Sequence, residues 1–399
     1  MRRTLIIASI VLVSLGIGIA VYYFLLPSSP ETTGTPTDNP LPVAGNRTPT
    51  PGEIAAGNSG TSESPTSVSA RLVKITPGPV ALGEAVLDIK AAAASSSPEV
   101  AINFVEQQSG NIYSYRTREG TLTRTSNKTI PGIATAAWLP NGKTVFARYL
   151  SGTDFSTTNT YALHSDGSEG FFLPQDLAGI AVSSTSILML ASGSNGSSAS
   201  LARTDGSRAT TLFTTPLSAL RVTFAGKNQY LAFTKPAATL AGSAYLVDSS
   251  GNFSRVAGPE NGLTALASPS GKWVLVSTVS EGAMSMKLVN TATGDTTPLP
   301  VATITDKCIW TTDETTIYCG IPKNPAPGKN YPDDWYQGAV AFSDRIWKIQ
   351  VSGRYAQLVL DFTAEAKTSL DAESLAINPS GTTLVFVNKN DGSLWSYQL

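Results

Sequence analysis

The chain has 399 residues, of which 41% are apolar and only 14% charged, with a formal net charge of −1. That is enough apolar material for one large repeat domain or two ordinary domains. No Lys/Arg cluster occurs along it, which argues against nucleic-acid binding, because that needs many phosphate-neutralising cations on one face.

At the start, Arg2 and Arg3 precede an uncharged run from Leu5 to Leu26, 22 residues long. A helix of that length reaches roughly 33 Å, enough to span a bilayer core. Tyr22, Tyr23 and Phe24 suit the far interface, and the leading arginines place residues 1–4 in the cytoplasm. A cleaved signal peptide would have a shorter apolar region, about 7–15 residues, ending in small residues. This run ends Tyr22-Tyr23-Phe24-Leu25-Leu26-Pro27, a poor cleavage site. The expectation is a single-pass cell-membrane anchor over 5–26, with everything after it extracytoplasmic.

Residues 27–69 change composition abruptly to Pro, Thr, Ser, Gly and Asn, with no aromatic residue. Such a stretch cannot bury enough surface to offset its ordering entropy. It reads as a tether of roughly 35–40 Å as a flexible coil, since it lacks the repeated motif of a Pro-rich recognition tract.

From residue 70 onward one phrase recurs: an apolar strand, a Pro-Ser-Gly or Pro-Asn-Gly turn, and a second apolar strand. Its clearest copies are Ala137-Trp138-Leu139-Pro140-Asn141-Gly142, Leu266-Ala267-Ser268-Pro269-Ser270-Gly271 and Ala376-Ile377-Asn378-Pro379-Ser380-Gly381. Degenerate copies are marked by Val182, Phe224 and Trp310, and counting back from Trp138 lands on Ser95. The markers are separated by 43, 44, 42, 43, 43 and 67 residues. A fixed period near 40–45 with short strands signals propeller blades. Glu119-Gly120, Asp166-Gly167, Asp205-Gly206, Ser250-Gly251, Gly294-Asp295 and Ser352-Gly353 fall where the third strand must turn into the fourth. The last copy stops after three strands, at Leu399, whereas Ala70–Thr76 precedes the first copy as an unclaimed strand. Pairing the two would close the ring and remove the exposed edges at the seam. The reading is an all-β chain with seven four-stranded blades over 70–399. A six-bladed ring with residues 70–117 as an irregular cap is the alternative.

These Pro-Ser-Gly and Pro-Asn-Gly strands resemble the Trp-Asp-repeat-like propellers of the TolB type, over roughly residues 70–399. The family's usual Asp in Pro-Asp-Gly is replaced by Asn141, Ser270 and Ser380. The resemblance implies a propeller that serves as a binding platform, a substrate gate or, occasionally, an enzyme. The membrane-anchored form with a Ser/Thr/Pro tether is similar to bacterial envelope proteins of unassigned role.

The final spacing carries 24 extra residues, which fit Pro322 to Arg345 between the second and third strands of the sixth blade. Long loops in compact repeats are often functional. This one holds Tyr331, Asp333, Asp334, Trp335 and Tyr336, aromatics beside paired carboxylates that would suit a sugar, a cationic peptide or simple pinning of the loop onto the ring. Two neighbouring carboxylates without a His or third acid are weak evidence for a metal, and neither metal nor cofactor is expected. The sole cysteines, Cys308 and Cys319, face each other if the turn centres on Asp313-Glu314. An exported domain is oxidising enough to bridge them; two small buried thiols are the alternative.

His164, the only histidine, lies beside Ser165 and Asp166, but adjacent turn residues point apart rather than converge on a substrate. No phosphate-binding Gly loop or nucleophile elbow occurs. The functional expectation is a non-catalytic extracytoplasmic platform recognising an envelope protein or glycan. The alternative is a polysaccharide-acting hydrolase or lyase using carboxylates at the channel mouth.

Overall fold

The computed structural model describes residues 64–89, 99–168, 170–353 and 355–399. The anchor expected over 5–26 and most of the tether lie outside them. Among the described residues no helix is long and apolar enough to cross a membrane.

The described strands form seven antiparallel sheets, six of them simple four-stranded meanders. Six blades are continuous in sequence: 85–124, 133–172, 177–215, 220–261, 264–298 and 308–361. The seventh takes Ala372–Ile377, Thr383–Asn388 and Leu394–Gln398 from the C-terminal end and Leu72–Lys74 from the other. Leu72 pairs with Tyr397 and Lys74 with Trp395, so the ring closes as the unclaimed strand requires, with seven blades rather than six. Gly167 and Gly206 in two of the hairpin turns both adopt φ of 77°, a conformation open to Gly without steric cost.

Strand composition explains the packing. Thr383-Leu384-Val385-Phe386-Val387-Asn388 is buried at all six positions, as a second strand must be when both its faces meet neighbouring blades. The core is therefore not one mass but a layer between each adjacent pair of blades. At the seam, Ile102, Phe104 and Tyr115 of the first blade meet Val385, Val387 and Leu394 of the seventh. Equivalent layers join every other adjacent pair. An eighth small cluster, Ile304, Tyr331, Trp335 and Phe342, sits beneath the long insertion.

Two boundaries differ from expectation. Thr66–Ser67, inside the stretch read as tether, forms a short strand against Lys74 and Val73, because Ser69 Oγ accepts hydrogen bonds from the Arg71 and Leu72 amides and so tightens the turn. The first inner strand is Ala85–Ile89, so its marker is Ile89 and not Ser95. The connection to the second strand is longer in this blade, and Ser95 falls within 90–98, outside the described residues.

Cys308 and Cys319 are joined by a disulfide between directly opposed positions of the inner and second strands of blade six. In blade two the matching pair is Ala136 and Ala147. Because the closed loop is short, reduction should lower stability by about 2–3 kcal/mol. The measurement is thermal melting with and without reductant, paired with alkylation; two labels incorporated before reduction would contradict the bridge.

Candidate functional site: the insertion on the channel-mouth face

In a meandering blade, the loop between second and third strands emerges on the same face as the connection to the next blade. The insertion between Thr316–Pro322 and Asp344–Gln350 therefore lies on the face where the inner strands begin. Pro325, Pro327 and Gly328 prevent it from continuing as a strand, and a single helical turn, Asp333–Tyr336, follows Pro332.

All five residues singled out from the sequence come together here, and each is bonded to the protein. Tyr331 is fully buried and donates to the Ala326 carbonyl at 3.0 Å. Asp333 Oδ2 accepts from the Ala238 amide in blade four at 2.6 Å. Asp334 Oδ2 accepts from the Asn330 amide at 2.9 Å, within the loop itself. Trp335, 2% exposed, donates its indole N–H to Asp371 Oδ2 at 3.0 Å. Tyr336 donates to Asp306 Oδ2 at 2.6 Å, while Arg221 Nη1 donates to both partners at 3.1 and 2.7 Å. Burial, helped by the Asp306 charge, pushes the Tyr336 hydroxyl pKa up. Burial would lower the Arg221 pKa, but Asp306 and Tyr336 outweigh it and the net shift is upward.

Beneath the loop lies a constellation that the sequence did not announce. Lys307, at 0% exposure, stands 2.8 Å from Asp344 Oδ2, contacts Asp371 Oδ1, and donates to the Ala372 carbonyl at 2.8 Å. Its ammonium lies 5.0 Å from the Trp335 ring centroid and 5.3 Å from that of Phe342. Asp371 also accepts the Phe342 amide at 2.8 Å. The helical turn of the insertion is thus fastened to blade four through Asp333 and Tyr336, and to Asp306 and Asp371 ahead of blades six and seven through Tyr336 and Trp335. Burial pushes the Asp344 pKa up to about 6 despite the opposing Lys307 charge, and Asp371 adds to the rise. For Lys307, burial favours the neutral form, but the two carboxylates prevail and its pKa rises.

A third group stands at the seam between blades seven and one. Ser374 donates to Glu84 Oε2 at 3.3 Å from a backbone with φ of 50°, at a register shift in its strand. Glu373 pairs with Lys389 at 3.4 Å, and Lys389 lies 4.6 Å from the Trp335 ring. Although Glu84 is partly accessible as a residue, its Oε1 is closed off from solvent and, among the described residues, has no hydrogen-bond partner. Burial foremost, with a smaller push from Glu373, raises its pKa to about 8 against the hydrogen bond from Ser374.

The signal for these residues was faint: Lys307, Asp371 and Glu84 each immediately precede an inner strand. His164 lies away from this site, at the end of a third strand, with Nδ1 3.0 Å from Thr144 Oγ1. Among the described residues no three His, Cys, Asp or Glu side chains are grouped to hold a metal ion.

Fold and site together define a closed seven-bladed β-propeller with a disulfide-bridged sixth blade and a pinned insertion over its channel-mouth face. No protein-family profile matches the chain, and no curated protein matches it. Among solved structures it is similar to an oligogalacturonate lyase in complex with manganese, at 10% identity and a TM-score of 0.57, over 84% of this chain and 95% of that one. The oligogalacturonate lyase of Vibrio parahaemolyticus matches at 10% identity and 0.56, over 82% and 93%. TolB from Acinetobacter baumannii matches at 10% identity and 0.43, over 79% of each chain. At such identity the two lyases share a fold with this chain and nothing more is carried over.

Proposed function

We propose that this chain is a non-catalytic binding platform, tethered to a cell membrane through residues 5–26 and displayed outside it, with the insertion-bearing face as its recognition surface. One observation carries the reading. The carboxylates at the channel mouth that a sugar-cleaving enzyme would use, Asp333 and Asp334, are each committed to a backbone amide, and so hold the loop in place. The uncharged run of 22 residues supports the tether, and the Cys308–Cys319 bridge suits an oxidising compartment.

The competing reading, a polysaccharide lyase or hydrolase, draws on the fold shared with the oligogalacturonate lyases. To separate them, the full chain is incubated with oligogalacturonate and with cell-wall polysaccharides, and products are followed chromatographically. We expect no turnover, alongside cross-linked capture of a specific envelope component. Turnover that disappears in Asp333→Asn or Asp334→Asn would make the protein an enzyme.

A further inference from the structure

Between the insertion and blade five runs a cleft of about 410 Å³, within the range of roughly 300–1,000 Å³ typical of small-ligand sites. Residues 329–331 form one wall, and the hairpin tip of blade five, Thr278–Gly282, forms the other. Glu260 and Asn261 of blade four, at the end of an outer strand nine residues long, make the third side.

The walls are held in place. Asp333 ties the insertion to blade four through the Ala238 amide. Gly262 lies so close under the loop that a Cβ there would sit 3.1 Å from the Tyr331 carbonyl oxygen and 2.7 Å from Val279 Cγ2. Across the cleft, Lys287 grips both oxygens of Glu260 at 2.8 Å. At one end the hairpin tip approaches the insertion, with 3.9 Å between a Cβ built on Gly282 and the Lys329 carbonyl oxygen.

The contrast along the loop is the informative point. From Tyr331 to Tyr336, every polar side chain is bonded to the protein. The cleft residues just before and opposite it differ. Asn261, Ser280, Glu281, Lys329 and Asn330 are all exposed, and among the described residues their side chains make no hydrogen bond or ion pair with the protein. They present two amides, a hydroxyl, a carboxylate and an ammonium around one preformed space, which suits a ligand rich in hydroxyl groups that both donate and accept. The aromatic ring at this site, Tyr331, is buried, and beyond it only Ala238 and Val279 contribute apolar side chains to the lining, so the cleft is mostly polar, unlike the side-chain pockets that peptide recognition generally uses.

We propose that this cleft is a binding site for a short, hydroxyl-rich glycan segment, with Asn261 and Asn330 as its principal hydrogen-bonding residues. This rests on the platform reading above and gives it a ligand class. The test is a printed glycan array probed with the purified full chain, followed by titration of the best-bound oligosaccharide. Three variants are compared: Asn261→Ala/Asn330→Ala, Ser280→Trp to fill the cleft from an exposed position, and Lys227→Ala on the opposite face as control. The expected result is saturable binding, weakened roughly tenfold or more by the first two variants and unchanged in the third, with melting temperatures preserved. No bound glycan, binding indifferent to the cleft variants, or cleft-dependent capture of peptides in place of glycans would each overturn it. Cleft-dependent binding accompanied by cleavage would leave the site standing and remove the platform reading. Capture of an envelope protein that ignores the cleft variants would do the reverse.

Discussion

Replacing Lys307 with Met is expected to reduce folding stability by about 3–5 kcal/mol, the loss typical when one member of a buried ion cluster is removed. The two carboxylates left behind, Asp344 and Asp371, are both at 0% exposure and would have no cation to balance them. Met keeps most of the side-chain volume, so the loss reports charge and not a cavity. The sign of its pH dependence follows from the same groups. Asp344 already has a folded pKa of about 6, above its ordinary value of 3.8, and loss of the cation raises it further. A protonated acid is cheaper to bury, so the deficit should be smaller at pH 5 than at pH 8. Urea melts of wild type and Lys307→Met at both values measure it. Equal deficits would show that the cluster is not ionised as described. The insertion should loosen in parallel, because Trp335 and the Phe342 amide both rest on Asp371.

The second large effect belongs to Glu84. Its folded pKa of about 8 exceeds the ordinary 4.5, so the folded state holds its proton more tightly than the unfolded chain does. Its contribution to stability is therefore complete below about pH 4.5 and is lost as the pH rises through about 8. Across that window each pH unit costs about 1.4 kcal/mol, several kcal/mol in all. Glu84→Gln keeps the acceptor for Ser374 and cannot ionise. It should flatten this part of the stability curve and be the more stable protein at pH 8. The charged groups facing Glu84 from blade seven, Glu373 and its partner Lys389, are unchanged in the variant. Parallel curves for the two proteins would show that Glu84 is ionised throughout.

The architecture was legible because blades repeat for local reasons. Each needs an apolar inner strand and tight turns at set intervals, and apolar runs with turn residues between them recur in the chain whatever the sheet is doing elsewhere. The closing strand was legible as an imbalance, three strands at one end and a spare at the other. The opposition of Cys308 and Cys319 followed from a two-residue side-chain period, which carries register faithfully over a short hairpin. Where the interval was stretched, counting failed: Ala94-Ser95-Ser96-Ser97-Pro98 looks like a marker, but the strand had ended at Ile89. The site was harder. Tyr331, Asp333, Asp334, Trp335 and Tyr336 drew notice because they crowd one unusual loop. Lys307, Asp344 and Asp371 are far apart in the chain, on three different segments, and nothing in the neighbourhood of each hints at the others. Only the ring brings them within one shell around an ammonium group. Glu84 and Ser374 meet across the seam, 290 positions apart, and no local pattern encodes that encounter.

That seam also sets an order in time. The strand Leu72–Lys74 is made before all six continuous blades, and its partner Leu394–Gln398 after them. As residues emerge one after another, each intermediate blade can pair its four strands from neighbours already present. The seventh cannot finish until the other six have appeared, and until then Leu72 and its neighbours have an open edge. Contacts of such long sequence separation are slow to form and leave strands exposed to mispairing in the interval. The interblade layers of blades two to six can therefore assemble during synthesis. The two layers that blade seven makes, with blade six and with blade one, must come last, and with them the surroundings of Glu84.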